Sequence, residues 1–144
     1  MDKKRILIYG DSNTHGFRVD NGLRFDKNTR WTGLCQYLLG DTYEILEEGL
    51  NGRTSVWEDP VEGDKCGLRH LPPILASHTP LDLLIIMLGT NDAGEEGIMK
   101  DGRVNIGDND LLRVHLLDAA LKLENETNKV KLIKVSPTAH IDGV

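Results

Sequence analysis

Four short apolar segments, each ending at a turn residue, divide the chain. They are Arg5–Tyr9, Tyr43–Glu48, Leu83–Leu88 and Val130–Val135. Each is rich in Ile, Leu or Val and is followed by Gly or by Ser-Pro, which is typical of β-strands. The third is apolar at every position, so it is predicted to be a central strand with both faces covered.

Segments with helical spacing alternate with these strands. They are Thr32–Leu39, Leu68–Ser77 and Asp110–Glu124, while Ala93–Gly107 has no clear period and is predicted to be a loop. Thr32 is a candidate N-cap for the first helix. Because proline is tolerated only in a first turn, Pro72 and Pro73 predict that the second helix begins near them. The alternation predicts right-handed βαβ units and a parallel sheet in one α/β domain over residues 1–144.

Polar clusters follow three of the predicted strands directly. They are Gly10-Asp11-Ser12-Asn13-Thr14-His15-Gly16, Gly49-Leu50-Asn51-Gly52-Arg53-Thr54 and Gly89-Thr90-Asn91-Asp92. The carboxyl ends of parallel strands lie along one edge of a sheet, and ligands bind there. The three clusters are therefore expected to converge in space.

The residue types in these clusters favour acyl transfer. Ser12 follows a strand at a sharp turn, near the predicted start of a helix, where a hydroxyl can be presented. Gly52 offers an unobstructed backbone N–H, and Asn91 offers a side-chain amide. A nucleophile with neutral donors beside it fits an oxyanion hole. A phosphate site would call for Lys or Arg, and neither a P-loop nor a G-x-G-x-x-G motif occurs.

The sequence Gly10-Asp11-Ser12-Asn13 resembles the nucleophile block of the SGNH (GDSL-type) hydrolase family. Gly52 resembles the glycine of that family's second block, and Gly89-Thr90-Asn91-Asp92 resembles its third. The similarity is close over residues 5–92 and loose over 110–137, and the run of motifs is similar to the arylesterase/acyltransferase branch of the family. It implies a flavodoxin-like three-layer α/β/α fold with a parallel sheet. It also implies Ser12 as nucleophile, with the Ser12 N–H, the Gly52 N–H and Asn91 as oxyanion donors.

One family element is missing from the sequence as given. The general base of the family is the His of a D-x-x-H block after a fifth strand, and none of the five histidines lies in such a block. Either the fifth strand and its block are absent, leaving about four strands, or Asp142-Gly143-Val144 begins a block that stops before its His. His15 and His140, the latter with Asp142 near it, are the candidate surrogate bases.

Other polar residues of the clusters have open roles. Asp11 is interpreted mainly as a turn-stabilising residue, and Asp92 as either structural or functional. Arg53 is expected to form a buttressing or surface ion pair, with a substrate contact as the alternative.

Composition limits the remaining possibilities. The chain has 144 residues, 39% hydrophobic and 28% charged, with a net charge of −6, which predicts one soluble domain and argues against nucleic acid. No apolar run reaches membrane-spanning length or a signal-peptide core, so we expect no membrane association and a cytoplasmic location. Cys35 and Cys66 form no ligand motif, and neither a metal nor a cofactor is expected.

Three functions follow from these expectations. The first is a serine ester hydrolase acting on short acyl or aryl esters, with acyl transfer to alcohols as an additional activity to test. The second is a catalytically impaired remnant that binds a small molecule in the same pocket. The third, a flavodoxin-like phosphate-binding module, lacks its glycine-rich motif. Because an incomplete sheet leaves an edge or a face open, a homo-oligomer is expected.

Overall fold

The computed structural model describes residues 2–92 and 131–135, the latter by backbone only. The elements in chain order are β1 (Lys4–Gly10), α1 (Ser12–His15), α2 (Trp31–Leu39), β2 (Tyr43–Gly49), α3 (Gly67–His78), β3 (Leu83–Met87), a 3₁₀ turn (Thr90–Asp92) and β4 (Lys131–Val135). The four predicted strands are present, and each end lies within one residue of its predicted position. The predicted loop Ala93–Gly107 and helix Asp110–Glu124, with His140 and Asp142, lie outside the described residues.

All four strands are parallel, in the order β2-β1-β3-β4. Leu7 of β1 lies beside Leu46 of β2 and Leu84 of β3, so these side chains share one face of the sheet. Leu71 and Leu75 of α3 pack on that face. The opposite face carries Glu47, which contacts α2, so helices cover both faces of the sheet. This confirms the predicted parallel three-layer α/β architecture.

The most buried strand is β1 rather than β3. Residues 6–10 of β1 are all buried, whereas β3 alternates between half-buried and buried residues. Leu84 and Ile86 of β3 belong to the core beneath α3, while Leu83, Ile85 and Met87 on the other face are half-buried. The predicted central position of β3 is confirmed, since it lies between β1 and β4, whereas the side chains on its second face are only half-buried. Apolar composition alone did not show that β1 is the more buried of the two inner strands.

Helix α3 begins five residues before the prolines that were expected to start it. Its first N–H groups, of Gly67 and Leu68, donate to the carbonyl oxygens of Thr54 and Ser55 at 2.9 and 2.8 Å. The N–H groups of the first helical turn have no acceptor within the helix, and here a distant segment supplies two. Pro72 and Pro73 consequently lie inside the helix.

Helix α2 begins at Trp31, and its N-cap is Arg30, which makes no side-chain capping bond. The proposed cap, Thr32, lies within the helix, and its buried hydroxyl donates to Glu47 Oε2 at 2.6 Å. The capping prediction was wrong because the hydroxyl bonds the neighbouring strand β2 instead of its own helix.

Glu47 joins the loop before α2 to the sheet. Arg30 donates to both of its carboxylate oxygens, at 2.6 and 3.0 Å. Hydrogen bonds from Arg30, helped by Thr32, lower the Glu47 pKa from its ordinary 4.5 to about 2, against the opposing effect of burial. Because the folded pKa is depressed, this contact stabilises the protein above about pH 4.5, and the contribution is lost as the pH falls towards 2.

A Glu47 pKa lowered from 4.5 to about 2 corresponds to about 3.4 kcal/mol. The Gln amide oxygen can still accept one hydrogen bond from Arg30 or Thr32, so the Glu47→Gln variant is expected to lose about 2 kcal/mol of unfolding free energy at pH 7. Urea unfolding of wild type and variant at several values between pH 7 and pH 3 should show the difference shrinking with acidity. Glu44→Gln, on the same strand, is the control, because its Arg5 ion pair is more exposed and worth little. Equal losses in both variants would contradict the assignment.

Candidate active site

Ser12 is the first residue of the one-turn helix α1, directly after β1. The Asp11 carboxylate caps this turn by accepting the Asn13 N–H at 3.0 Å, and Gly16 closes it in a left-handed conformation. A side chain at Gly10 would collide with Thr14, and one at Gly49 with the His15 backbone. These two glycines therefore let α1 lie directly against the carboxyl ends of β1 and β2, with Ser12 partly exposed.

The loop after β2 makes a tight turn. The Leu50 N–H donates to the Gly10 carbonyl, and the Arg53 N–H returns to the Leu50 carbonyl, both at 3.1 Å. Gly52 within this turn has a φ of +79°. An L side chain adopts that conformation only with strain, so the turn itself requires glycine there.

The 3₁₀ turn after β3 is bound to the segment that follows Gly52. The Asn91 amide donates to the Arg53 carbonyl at 3.1 Å. The buried Asp92 carboxylate accepts the Ser55 N–H at 2.9 Å and also the Ser55 hydroxyl. Asp92 therefore fixes the third loop against the second.

Arg53 connects all three loops. Its side chain is buried, and Nη1 donates to the carbonyl oxygens of Gly10 and Glu48 at 3.1 and 2.7 Å. The guanidinium lies over the Tyr9 ring, 4.0 Å from its centroid. Among the residues that the structure describes, the partners of Arg53 are thus backbone carbonyls and an aromatic face rather than the expected carboxylate. Burial lowers the pKa of Arg53, and burial also raises the pKa of Tyr9 to about 12.

Two buried carboxyl groups, those of Asp11 and Asp92, lie in the first and third loops. Burial raises the pKa of Asp11, partly offset by the Asn13 hydrogen bonds, and the Asp92 charge raises it further. Burial likewise raises the pKa of Asp92, against the two hydrogen bonds from Ser55. Both groups have identifiable structural partners: Asp11 caps α1, and Asp92 fixes the third loop.

The rings of two described histidines contact groups other than Ser12. His15 Nδ1 lies 3.3 Å from the Gly49 carbonyl, and His78 Nε2 lies 2.9 Å from Glu48 Oε1. The other surrogate base, His140 with Asp142, lies outside the described residues. The loops carrying Ser12, Gly52 and Asn91 are therefore joined, while the base for Ser12 is not identified.

Within residues 2–92 and the backbone of 131–135, no group of three metal-ligating side chains occurs. Cys35 and Cys66 are free, and Cys66 is buried. In that same part of the chain, no helix is long and apolar enough to cross a membrane.

A parallel α/β sheet whose polar loops are joined at its carboxyl edge defines a class of proteins that bind small molecules there. The family model of the GDSL-like lipase/acylhydrolase family matches residues 8–141. The chain belongs to this family, which confirms the resemblance to the SGNH hydrolases.

Several solved structures are similar. The aryl esterase of M. smegmatis is 38% identical, with a TM-score of 0.76, and the match covers 91% of this chain and 62% of the esterase chain. Est24, a carbohydrate acetylesterase from Sinorhizobium meliloti, is 36% identical, with a TM-score of 0.78 and coverage of 94% and 64%. A carbohydrate acetylesterase family member from the same species is 32% identical, with a TM-score of 0.78 and coverage of 93% and 62%.

The chain therefore spans less than two thirds of the length of these relatives. The search of curated protein sequences found no match.

Proposed function

We propose that the protein is a serine ester hydrolase in which Ser12 is the nucleophile. The Ser12 and Gly52 N–H groups and the Asn91 amide are the proposed oxyanion donors. The contacts of Arg53 support this most directly, because one buried side chain joins the loop of Ser12 to the loop of Gly52, while the Arg53 carbonyl holds Asn91. An Asn amide carries two N–H groups, so the bond to Arg53 leaves one for a substrate.

The proposed reaction has two steps. Ser12 Oγ attacks the ester carbonyl, the bond to the alcohol breaks, and the hydroxyl proton passes through a base to the leaving alcohol. Water then hydrolyses the acyl-serine, releasing the carboxylic acid and restoring Ser12. The donors stabilise the negative oxygen that forms in each tetrahedral intermediate.

The substrate class is proposed from the solved relatives. Two of them are named as a carbohydrate acetylesterase and a member of that group, and one as an aryl esterase. Two names specify an acetyl group on a carbohydrate, and the third specifies an aryl ester. We propose acetyl and similarly short acyl esters of aryl or carbohydrate alcohols as the substrates of this chain.

A fluorophosphonate probe tests whether Ser12 is an activated nucleophile. Attack by Ser12 Oγ forms an O–P bond and expels fluoride, which adds a defined mass to the peptide containing residue 12. We expect labelling in the wild type and none in Ser12→Ala, while Ser77→Ala serves as a surface-serine control that labels normally. An unlabelled wild type would overturn the proposed reaction and favour the second candidate, a protein that binds an ester without cleaving it.

That second candidate is favoured by the contacts of two described histidines, whose rings lie against the Gly49 carbonyl and Glu48 rather than Ser12. An unlabelled protein that still binds a non-hydrolysable ester analogue, with weaker binding after Asn91→Ala, would support it.

A further inference from the structure

The peptide between Asn51 and Gly52 is contacted by a cation. Lys65 Nζ donates to the Asn51 carbonyl oxygen at 2.8 Å. The same peptide unit carries the Gly52 N–H. In a trans peptide the C=O and the N–H point in opposite directions, so the ammonium binds one side and leaves the N–H side open.

The position of Lys65 is set by its backbone. The Thr54 N–H donates to the Lys65 carbonyl at 2.8 Å, and the Gly67 N–H donates to the Thr54 carbonyl at 2.9 Å. The Lys65 side chain is only 15% exposed, and its methylene groups lie alongside Gly52. Burial already orders the Lys65 side chain when the protein folds. Holding its ammonium at the Asn51 carbonyl therefore costs little further conformational entropy.

A second, weaker partner lies on the solvent side. Glu62 Oε2 is 3.5 Å from Lys65 Nζ, and its own side chain is 66% exposed. An exposed pair of this kind contributes little. The contact with the Asn51 carbonyl is therefore the one with a defined geometry.

A cation on a peptide oxygen draws electron density from the nitrogen and makes the N–H a stronger donor. We propose that Lys65 is a positioning residue of the oxyanion hole, which acts by orienting and polarising the Asn51–Gly52 peptide. This rests on the proposed function, since it assumes that the Gly52 N–H faces the oxyanion. The strengthened Gly52 N–H binds most tightly when negative charge develops on the substrate oxygen. The contact with Lys65 therefore accelerates the reaction more than it tightens substrate binding.

The size of the effect follows from two known magnitudes. One oxyanion donor contributes about 10²–10³ in rate, and neighbouring hydrogen bonds strengthen one another by about 10–30%. Lys65→Met should therefore slow phosphonylation of Ser12 by about 2- to 8-fold at saturating probe, with little change in the half-saturating concentration.

Four further variants separate this role from a merely structural one. Lys65→Gln also removes the charge and provides a second test if the Met variant folds poorly. Lys65→Arg keeps the charge and should restore most of the rate. Glu62→Gln should label normally, because the exposed ion pair is not the active contact. Arg69→Met, which removes an exposed cation paired with Glu58, is the matched control and should also label normally.

An amide resonance supplies a readout that does not require activity. Hydrogen bonding at the Asn51 carbonyl deshields the Gly52 amide, so Lys65→Met should move that ¹H–¹⁵N signal upfield, Lys65→Arg should return it, and Arg69→Met should leave it in place. An unmoved signal, or wild-type labelling rates in both Lys65→Met and Lys65→Gln, would overturn the inference while leaving the proposed function intact. An unlabelled wild type would instead remove the proposed function, and the inference with it.

Discussion

Replacing Arg53 by methionine is expected to lower the free energy of unfolding by about 3 kcal/mol. The variant loses two charge-assisted hydrogen bonds, worth about 1.5–3 kcal/mol each, and a cation–π contact. The variant also no longer desolvates a charged guanidinium, so the net loss of stability is smaller than the sum of these contributions. The carbonyl oxygen of Glu48 is left without that donor in a partly buried position.

Urea unfolding monitored by circular dichroism measures this loss. Arg53→Lys should recover only part of it, because an ammonium can donate to carbonyl oxygens but has no planar face to lie flat on the Tyr9 ring. Arg69→Met should change stability by less than about 0.5 kcal/mol, since Arg69 is exposed. An Arg53→Met variant as stable as wild type would show that the three loops are held by other contacts.

The Asn91→Ala variant is expected to slow phosphonylation of Ser12 and ester hydrolysis by about 10²–10³-fold, the usual effect of removing one oxyanion donor. The reduction should appear in kcat far more than in KM, because the amide is proposed to bind charge present only in the transition state. Stability should fall by only about 1 kcal/mol, through the lost bond to the Arg53 carbonyl.

Asn13→Ala is the matched control, because Asn13 is exposed and lies one residue after Ser12. Its contact with Asp11 is made by the backbone N–H, which the substitution keeps. Labelling kinetics and a p-nitrophenyl acetate assay, each with a melting curve, distinguish the two roles of Asn91. A lower melting temperature with unchanged rates would make Asn91 a structural residue of the 3₁₀ turn.

The sequence predicted the parts of the structure that depend on local pattern. The strands are short apolar segments that end at glycine or Ser-Pro, and the parallel order follows from their alternation with helices. The meeting of the Ser12, Gly52 and Asn91 loops follows from the same topology, because parallel strands end at one edge.

Features that depend on distant contacts could not be predicted in this way. The start of α3 is set by the carbonyl groups of Thr54 and Ser55, which no pattern within the helix indicates. Thr32 resembles a cap but bonds Glu47 of another element. Arg53 was expected to seek a carboxylate, whereas burial among strand ends leaves carbonyl oxygens as its acceptors. In each case a tertiary partner replaced the local one.

The central position of β1 also affects the order in which the fold can form. Ile6 pairs with Ile45 and Leu83, which follow it by 39 and 77 residues. At about 5–20 residues per second, the ribosome releases β1 about 4 to 15 s before β3. The most buried strand of the sheet is therefore synthesised first and remains without its second neighbour for seconds. We expect the nascent chain to bind chaperones through β1 until residues 83–87 have emerged.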